Sequence, residues 1–157
     1  MRLTAFTDFG LRALMRLAGE PDRSFTTDEI ATEFAISRHH LTKVVRELAD
    51  AGFVKTQRGA GGGFRLARPS RSITLGEVVR TLERGQPLVE CFRDDGGACV
   101  LTPTCRLKKR LAAARDAFLK ELERTTLADC AWPASPDGRL ARAVGADTDG
   151  GRRLRRI

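Results

Sequence analysis

The sequence predicts a mainly α-helical fold carrying a small β-wing, and three observations predict it. Two capping boxes open short helices, one amphipathic helix has a basic outer face, and two short apolar stretches are joined by a run of glycines. Of the 157 residues, 41% are hydrophobic and 31% charged, which suffices for one cored domain with at most a small appendage. Apolar runs are broken by Arg, Asp or Glu well short of the roughly 20 residues that cross a bilayer, so no membrane span is expected. The start, Met1 to Asp8, meets an acidic residue early and lacks a continuous apolar stretch. It does not read as a secretory signal, and a cytoplasmic location is expected.

The first helix is expected from about Thr4 to Ala18, where Phe6, Phe9, Leu14, Leu17 and Ala18 recur at helical spacing before Gly19 and Pro21 end it. Thr26-Thr27-Asp28-Glu29 is a capping box leading into Ile30, Ala31 and Phe34, a short second helix. Ala35-Ile36 makes a tight turn into Ser37, an N-cap for a third helix that runs to Ala51 and is closed by Gly52. Helix, short helix, turn and helix make a helix-turn-helix. On the third helix Leu41, Val44, Val45 and Leu48 share a stripe about 100° wide, while His39, Thr42, Lys43 and Arg46 lie opposite. At about 1.5 Å per residue this helix spans about 22 Å, a size the DNA major groove admits.

Phe53 to Gln57 and Phe64 to Ala67 then read as two strands, joined by Arg58-Gly59-Ala60-Gly61-Gly62-Gly63. The loop lacks Gly-Lys-Ser/Thr and leads into a strand, which disfavours a nucleotide-phosphate loop. Its glycines instead permit close approach to a nucleic-acid backbone, with Arg58 and Arg65 at its flanks. The result is a winged helix-turn-helix. Charge agrees: 28 Lys and Arg against 20 Asp and Glu leave a net +8, and most of the excess lies between Ile36 and Arg71. A basic run alone equally describes a solvated face, so the pattern decides. Expected DNA contacts are Ser37, His39, His40, Thr42, Lys43 and Arg46 at the major groove, and Arg58, Gly59 and Gly61 of the wing at the minor groove or backbone.

Pro69 ends the wing, and Thr74-Leu75-Gly76-Glu77 is a second capping box, opening a helix through Val78, Val79 and Leu82 to Gly85 that reads as a connector. Residues 1–85 are thus expected to form the DNA-binding domain, and 86–105, where periodicity vanishes, a cysteine-bearing ligand loop. Thr102 and Pro103 are expected to start a long helix within 103–131. There Leu107, Leu111, Ala114, Phe118 and Leu122 recur at spacings of four and three, as in a dimerisation helix. Packing on the chain's own domain would give the same periodicity. Beyond it, residues 132–157 shift to Pro, Gly, Ala, Asp and Arg, the composition of a disordered basic tail.

Three of the four cysteines follow Cys-x(7)-Cys-x(5)-Cys, namely Cys91, Cys99 and Cys105. Thiolates suit zinc, iron–sulfur clusters or redox switching, and the Cys-x(2)-Cys knuckle typical of structural zinc is missing. Arg106, Lys108, Lys109 and Arg110 follow directly. Both histidines belong to the third helix, so a fourth ligand comes from Cys130, from a carboxylate such as Asp8, Asp94 or Asp95, or from a small molecule. No acid, base and nucleophile set for hydrolytic chemistry is present, and an enzyme is not expected.

Met1 to Phe9, the Gly59 to Gly63 wing, Cys91, Cys99, Cys105-Arg106-Leu107-Lys108 and Thr126-Leu127-Ala128-Asp129 together resemble the Rrf-type winged-helix regulators, and within them the nitric-oxide-sensing NsrR branch. The likeness covers residues 1 to about 131. It implies a homodimeric repressor of operator DNA, with one iron–sulfur cluster per subunit, 4Fe-4S rather than 2Fe-2S. It also implies Cys91, Cys99 and Cys105 as ligands, with Asp8 supplied by the other subunit and nitric oxide as the signal that releases DNA. The IscR branch uses a histidine three residues after the third cysteine, where this chain has Lys108, and Cys130 stands where an apolar residue is expected. The rival readings are another iron–sulfur or redox regulator of this fold, a zinc or thiol-switch regulator, and an iron–sulfur electron carrier without specific DNA affinity.

Overall fold

The computed structural model describes residues 2–57, 59, 62–102 and 104–132. Helix α1, Ala5–Gly19, is capped by Thr4, whose Oγ1 accepts the Thr7 N–H at 3.2 Å. The Thr4 N–H and hydroxyl both donate to Glu83 Oε1, at 2.8 and 2.9 Å, which pins the start of α1 to a residue far along the chain. Burial falls on Thr7, Gly10, Ala13, Leu14, Leu17 and Ala18, whereas Phe6 and Phe9 of the expected stripe only lean on the core. Arg16 is buried on the same helix. Its Nε reaches both oxygens of Glu33 at 2.9 and 3.0 Å, and its Nη2 reaches Glu20 at 2.7 Å. Arg16 and Arg23 cover the Phe25 ring at 4.5 and 4.4 Å, so a buried cation is paired twice and stacked once. The Arg16 bond holds the Glu20 carboxyl below its ordinary range.

Helix α2, Thr27–Glu33, has the complete capping box expected of it, with Thr26 Oγ1 accepting the Glu29 N–H and Glu29 Oε2 accepting the Thr26 N–H. That backbone donor is the main reason the Glu29 carboxyl titrates below its ordinary value. The turn out of α2 places Ala35 at φ +52°, a left-handed conformation unusual for a residue with a Cβ. Helix α3, Arg38–Asp50, follows. Ser37 stands at its N-cap but makes no side-chain capping bond, contrary to expectation. Leu41, Val44, Val45 and Leu48 are buried, as their shared stripe predicts.

Strands β1, Val54–Gln57, and β2, Gly63–Leu66, form an antiparallel hairpin that pairs Val54 with Leu66, Lys55 with Arg65, Thr56 with Phe64 and Gln57 with Gly63. Phe25 bridges Phe64 by two backbone bonds of 2.9 and 2.8 Å, so the segment before α2 borders the wing. The contact needs a glycine: a Cβ on Gly63 would lie 2.5 Å from the Phe25 carbonyl oxygen.

Helix α4, Leu75–Leu82, corrects two expectations. Its capping box is half made, because Thr74 Oγ1 accepts the Glu77 N–H at 3.1 Å while the Glu77 carboxylate turns instead to Arg68. It is also no mere connector, since Val78, Val79 and Leu82 are buried. Helix α5, Arg106–Leu122, begins after Cys105 rather than at Thr102-Pro103, Pro103 lying outside the described residues, and it ends well before 131. The chain then folds back as a 3₁₀ turn, Leu127–Cys130. Here Leu127 is fully buried, its N–H donates to the Ile73 carbonyl at 2.8 Å, and Thr126 bridges Thr74. The Trp132 N–H reaches the Met15 carbonyl at 2.9 Å, so the described part of the expected tail rests on α1. Residues 133–157, the rest of it, lie outside the described residues. No helix among the described residues is long and apolar enough to cross a membrane.

Candidate nucleic-acid interface and cysteine loop

The core stripe of α3 turns its opposite face outward, so Ser37, His39, His40, Thr42, Lys43 and Arg46 are all exposed. The Thr42 hydroxyl donates to the Arg38 carbonyl at 2.9 Å, leaving its oxygen free to accept. Arg46 faces Asp50 only loosely at 3.9 Å, and the His39 and His40 rings stand 6.1 Å apart. Arg38 was not among the expected contacts. It is 71% exposed, one helical turn before Thr42, and its guanidinium is parked on Asp28 at 2.8 Å. The signal that could have found it was the basic run beginning at that residue.

The wing adds a second basic surface. Lys55 and Arg65 are direct cross-strand neighbours, and both are exposed. Like charges opposite one another weaken a hairpin, and a polyanion against that face relieves the repulsion. Gly59 has φ +102° with open space where a Cβ would stand, a bend that leaves the backbone accessible. Arg58 and Gly61 lie outside the described residues.

Cys91 sits in a 3₁₀ turn, Glu90–Phe92, and Cys99 lies farther along the loop, with Cys105 capping α5 and its Sγ accepting the Lys108 N–H at 3.4 Å. The Arg115 guanidinium stands 5.2 Å over the Phe92 ring and ties the loop to α5. All four cysteines are free thiols and partly buried. The Thr102 hydroxyl, between the second and third of them, is buried without a hydrogen-bond partner among the described residues. Three free thiols in one loop suit an iron–sulfur cluster, whose irons are held by thiolates. In the single chain, however, no three His, Cys, Asp or Glu side chains of the described residues are gathered to hold a metal ion.

Within one chain Asp8 joins no group of three potential ligands with the cysteines among the described residues. It is paired with Arg12 at 2.7 Å, both side chains being half exposed. Asp95 pairs with Arg93 at 2.7 Å, and Cys130 lies in the turn that returns to α1. Helix α5 has no buried residue. Leu107 on its stripe is 62% exposed, and Val100 and Leu101 just before it are exposed as well. Helices α4 and α5 approach closely at Gly76, where a Cβ would lie 2.9 Å from the Leu119 carbonyl oxygen. Beside them a groove of about 1170 Å³ opens between α4, the loop and α5.

Residues 3–132 match the Rrf2 family, described as an iron-dependent transcriptional regulator. The HTH-type transcriptional regulator NsrR of Geobacillus kaustophilus (strain HTA426) is 46% identical over 130 residues, covering 82% of this chain and 88% of that protein. Among solved structures, CymR (YrzC), the global cysteine regulator of B. subtilis, superposes with a TM-score of 0.67 at 30% identity, covering 83% of this chain and 96% of that one. T. potens IscR superposes with a TM-score of 0.65 at 25% identity, covering 82% and 85%.

Proposed function

Because this chain belongs to the Rrf2 family of transcriptional regulators, we propose that it is a cytoplasmic, homodimeric repressor that binds operator DNA and releases it in response to nitric oxide. The observation that carries the proposal is the pairing of an exposed basic recognition helix with a loop of three free thiols in the same chain. Cys91, Cys99 and Cys105 would hold one iron–sulfur cluster per subunit, 4Fe-4S rather than 2Fe-2S, with the partner's Asp8 as the remaining ligand. When bound, such a cluster supplies iron to which nitric oxide adds.

The chain's own residues do the rest. Lys43, Arg46, Lys55 and Arg65 neutralise phosphates, while Ser37, His39, His40 and Thr42 face base edges, with Arg58, Gly59 and Gly61 of the wing against the minor groove or backbone. As a ligand to the group held by the other subunit's cysteine loop, Asp8 would fix α1 of one copy against its partner and thereby set the distance between the two α3 helices. That distance selects a palindromic site. Without that ligation Asp8 would pair with Arg12, its partner in the single chain, and the spacing would no longer be fixed through α1.

The test is anaerobic purification of the full chain, a visible spectrum with iron and sulfide counts, and a nitric oxide titration on an operator selected from random-sequence DNA. A brown protein whose cluster absorbance and operator affinity fall together is expected. Colourless, iron-free protein that binds DNA regardless of nitric oxide would overturn the reading.

A further inference from the structure

The segment between the first two cysteines closes on itself through a side chain that the ligand set does not use. Glu90 immediately precedes Cys91, and Ala98 immediately precedes Cys99. The Ala98 N–H donates to Glu90 Oε1 at 3.0 Å, joining the two positions across the loop. Three further bonds shape the chain between them. The Gly96 N–H donates to the Arg93 carbonyl at 2.9 Å, Asp95 Oδ1 accepts the Gly97 N–H at 2.9 Å, and Asp95 Oδ2 holds the Arg93 guanidinium at 2.7 Å. Gly96 and Gly97 are both left-handed, at φ +77° and +62°. A Cβ on Gly97 would lie 2.7 Å from both the Cγ and the carbonyl oxygen of Glu90, so the chain returns as closely as a residue without a side chain allows.

We propose that Glu90 is a positioning residue for the cysteine site. Its carboxylate accepts the Ala98 N–H and thereby holds the backbone at Cys99 to the backbone at Cys91 before any ligand arrives. The role rests on the reading that these two cysteines act together as ligands. An open loop must surrender chain entropy when two of its thiolates take up one centre, and a loop closed beforehand has surrendered it on folding. Partners of this kind, one bond removed from the ligating residues, govern metal affinity by orienting the donors. The acceptor is the part that matters: a glutamine at this position keeps an Oε1 that accepts, and an alanine keeps nothing.

The test uses the full chain, reduced and free of cluster under anaerobic conditions, with Cys130→Ser so that only the three loop thiols report. Cd²⁺ is titrated and thiolate-to-cadmium absorbance is followed for this parent and for Glu90→Ala, Glu90→Gln and Gly97→Ala. Expected is a loss of about tenfold in Cd²⁺ affinity for Glu90→Ala and for Gly97→Ala, with Glu90→Gln within about twofold of the parent. Far-UV circular dichroism and binding to random-sequence duplex DNA should stay at parent levels throughout. Glu90→Ala and Gly97→Ala both binding as the parent does would overturn the proposal, as would a parent with no thiolate-to-cadmium signal. Glu90→Gln losing as much as Glu90→Ala would overturn it too, since charge and not the acceptor would then be responsible. The cluster reading is tested apart from this: a parent that binds Cd²⁺ through its thiols but purifies without iron fails that reading while the variants still report on Glu90.

Discussion

Ala35 carries the one left-handed φ among the described residues that is not a glycine's, and it does so in the turn that leads into α3. An L-residue with a Cβ holds that conformation at a cost a glycine does not incur. Ala35→Gly is therefore expected to stabilise the fold by about 0.5–1 kcal/mol, visible as a rise of about 3 °C in thermal midpoint. An unchanged or lower midpoint would mean that the extra freedom of glycine in the unfolded chain outweighs the relief. Residues also show where sequence reading stops. Thr26 and Glu29 act within one short stretch, so their capping box was readable in full. Glu77 stands at the same offset from Thr74, yet its carboxylate goes to Arg68, an opposite charge that only the folded wing brings near. Arg16 and Ser37 fall in the same class. A buried arginine is unreadable without its partners Glu33 and Glu20, and Ser37 stands at the right offset yet makes no side-chain capping bond.

At the scale of elements, α3 was legible because its two faces obey one periodicity, apolar inward and basic outward, with no distant contact needed to define either. Its outward face makes a specific demand on DNA binding. Lys43→Ala should weaken binding to a random-sequence duplex and lower the slope of log affinity against log salt by about one per substituted subunit, measured by fluorescence anisotropy over a salt series. A slope that does not move would place Lys43 away from phosphate. The wing was legible in its strands but not in its neighbour, because Phe25 joins Phe64 across a gap in sequence that no local pattern spans. Helix α5 shows the opposite limit. Its apolar stripe is plain, but the helix starts later than Thr102-Pro103 suggests, since Thr-Pro resembles a helix opening and the actual cap is Cys105.

For the molecule as a whole, that stripe stays only partly covered in a single chain. Seventeen residues of helix with none buried leave Leu111, Phe118 and Leu122 short of partners, and in the proposed homodimer a second copy of the same helix would supply them. Phe118→Glu is expected to convert a dimer into a monomer by sedimentation velocity while the helical signal of the DNA-binding half is retained. A variant that sediments as a dimer would move the interface off α5. Helix-turn-helix, wing and cysteine loop were determined by the sequence alone, because caps, periodicities and cysteine spacing are local and carry their physics within a few residues. Tertiary structure alone decided that the Thr126-to-Cys130 segment returns to bury Leu127 in the core with α1 and α3, that α4 belongs to that core, and that Glu83 fastens the start of α1. Each of these depends on groups far apart in the chain, whose meeting is a property of the packed whole.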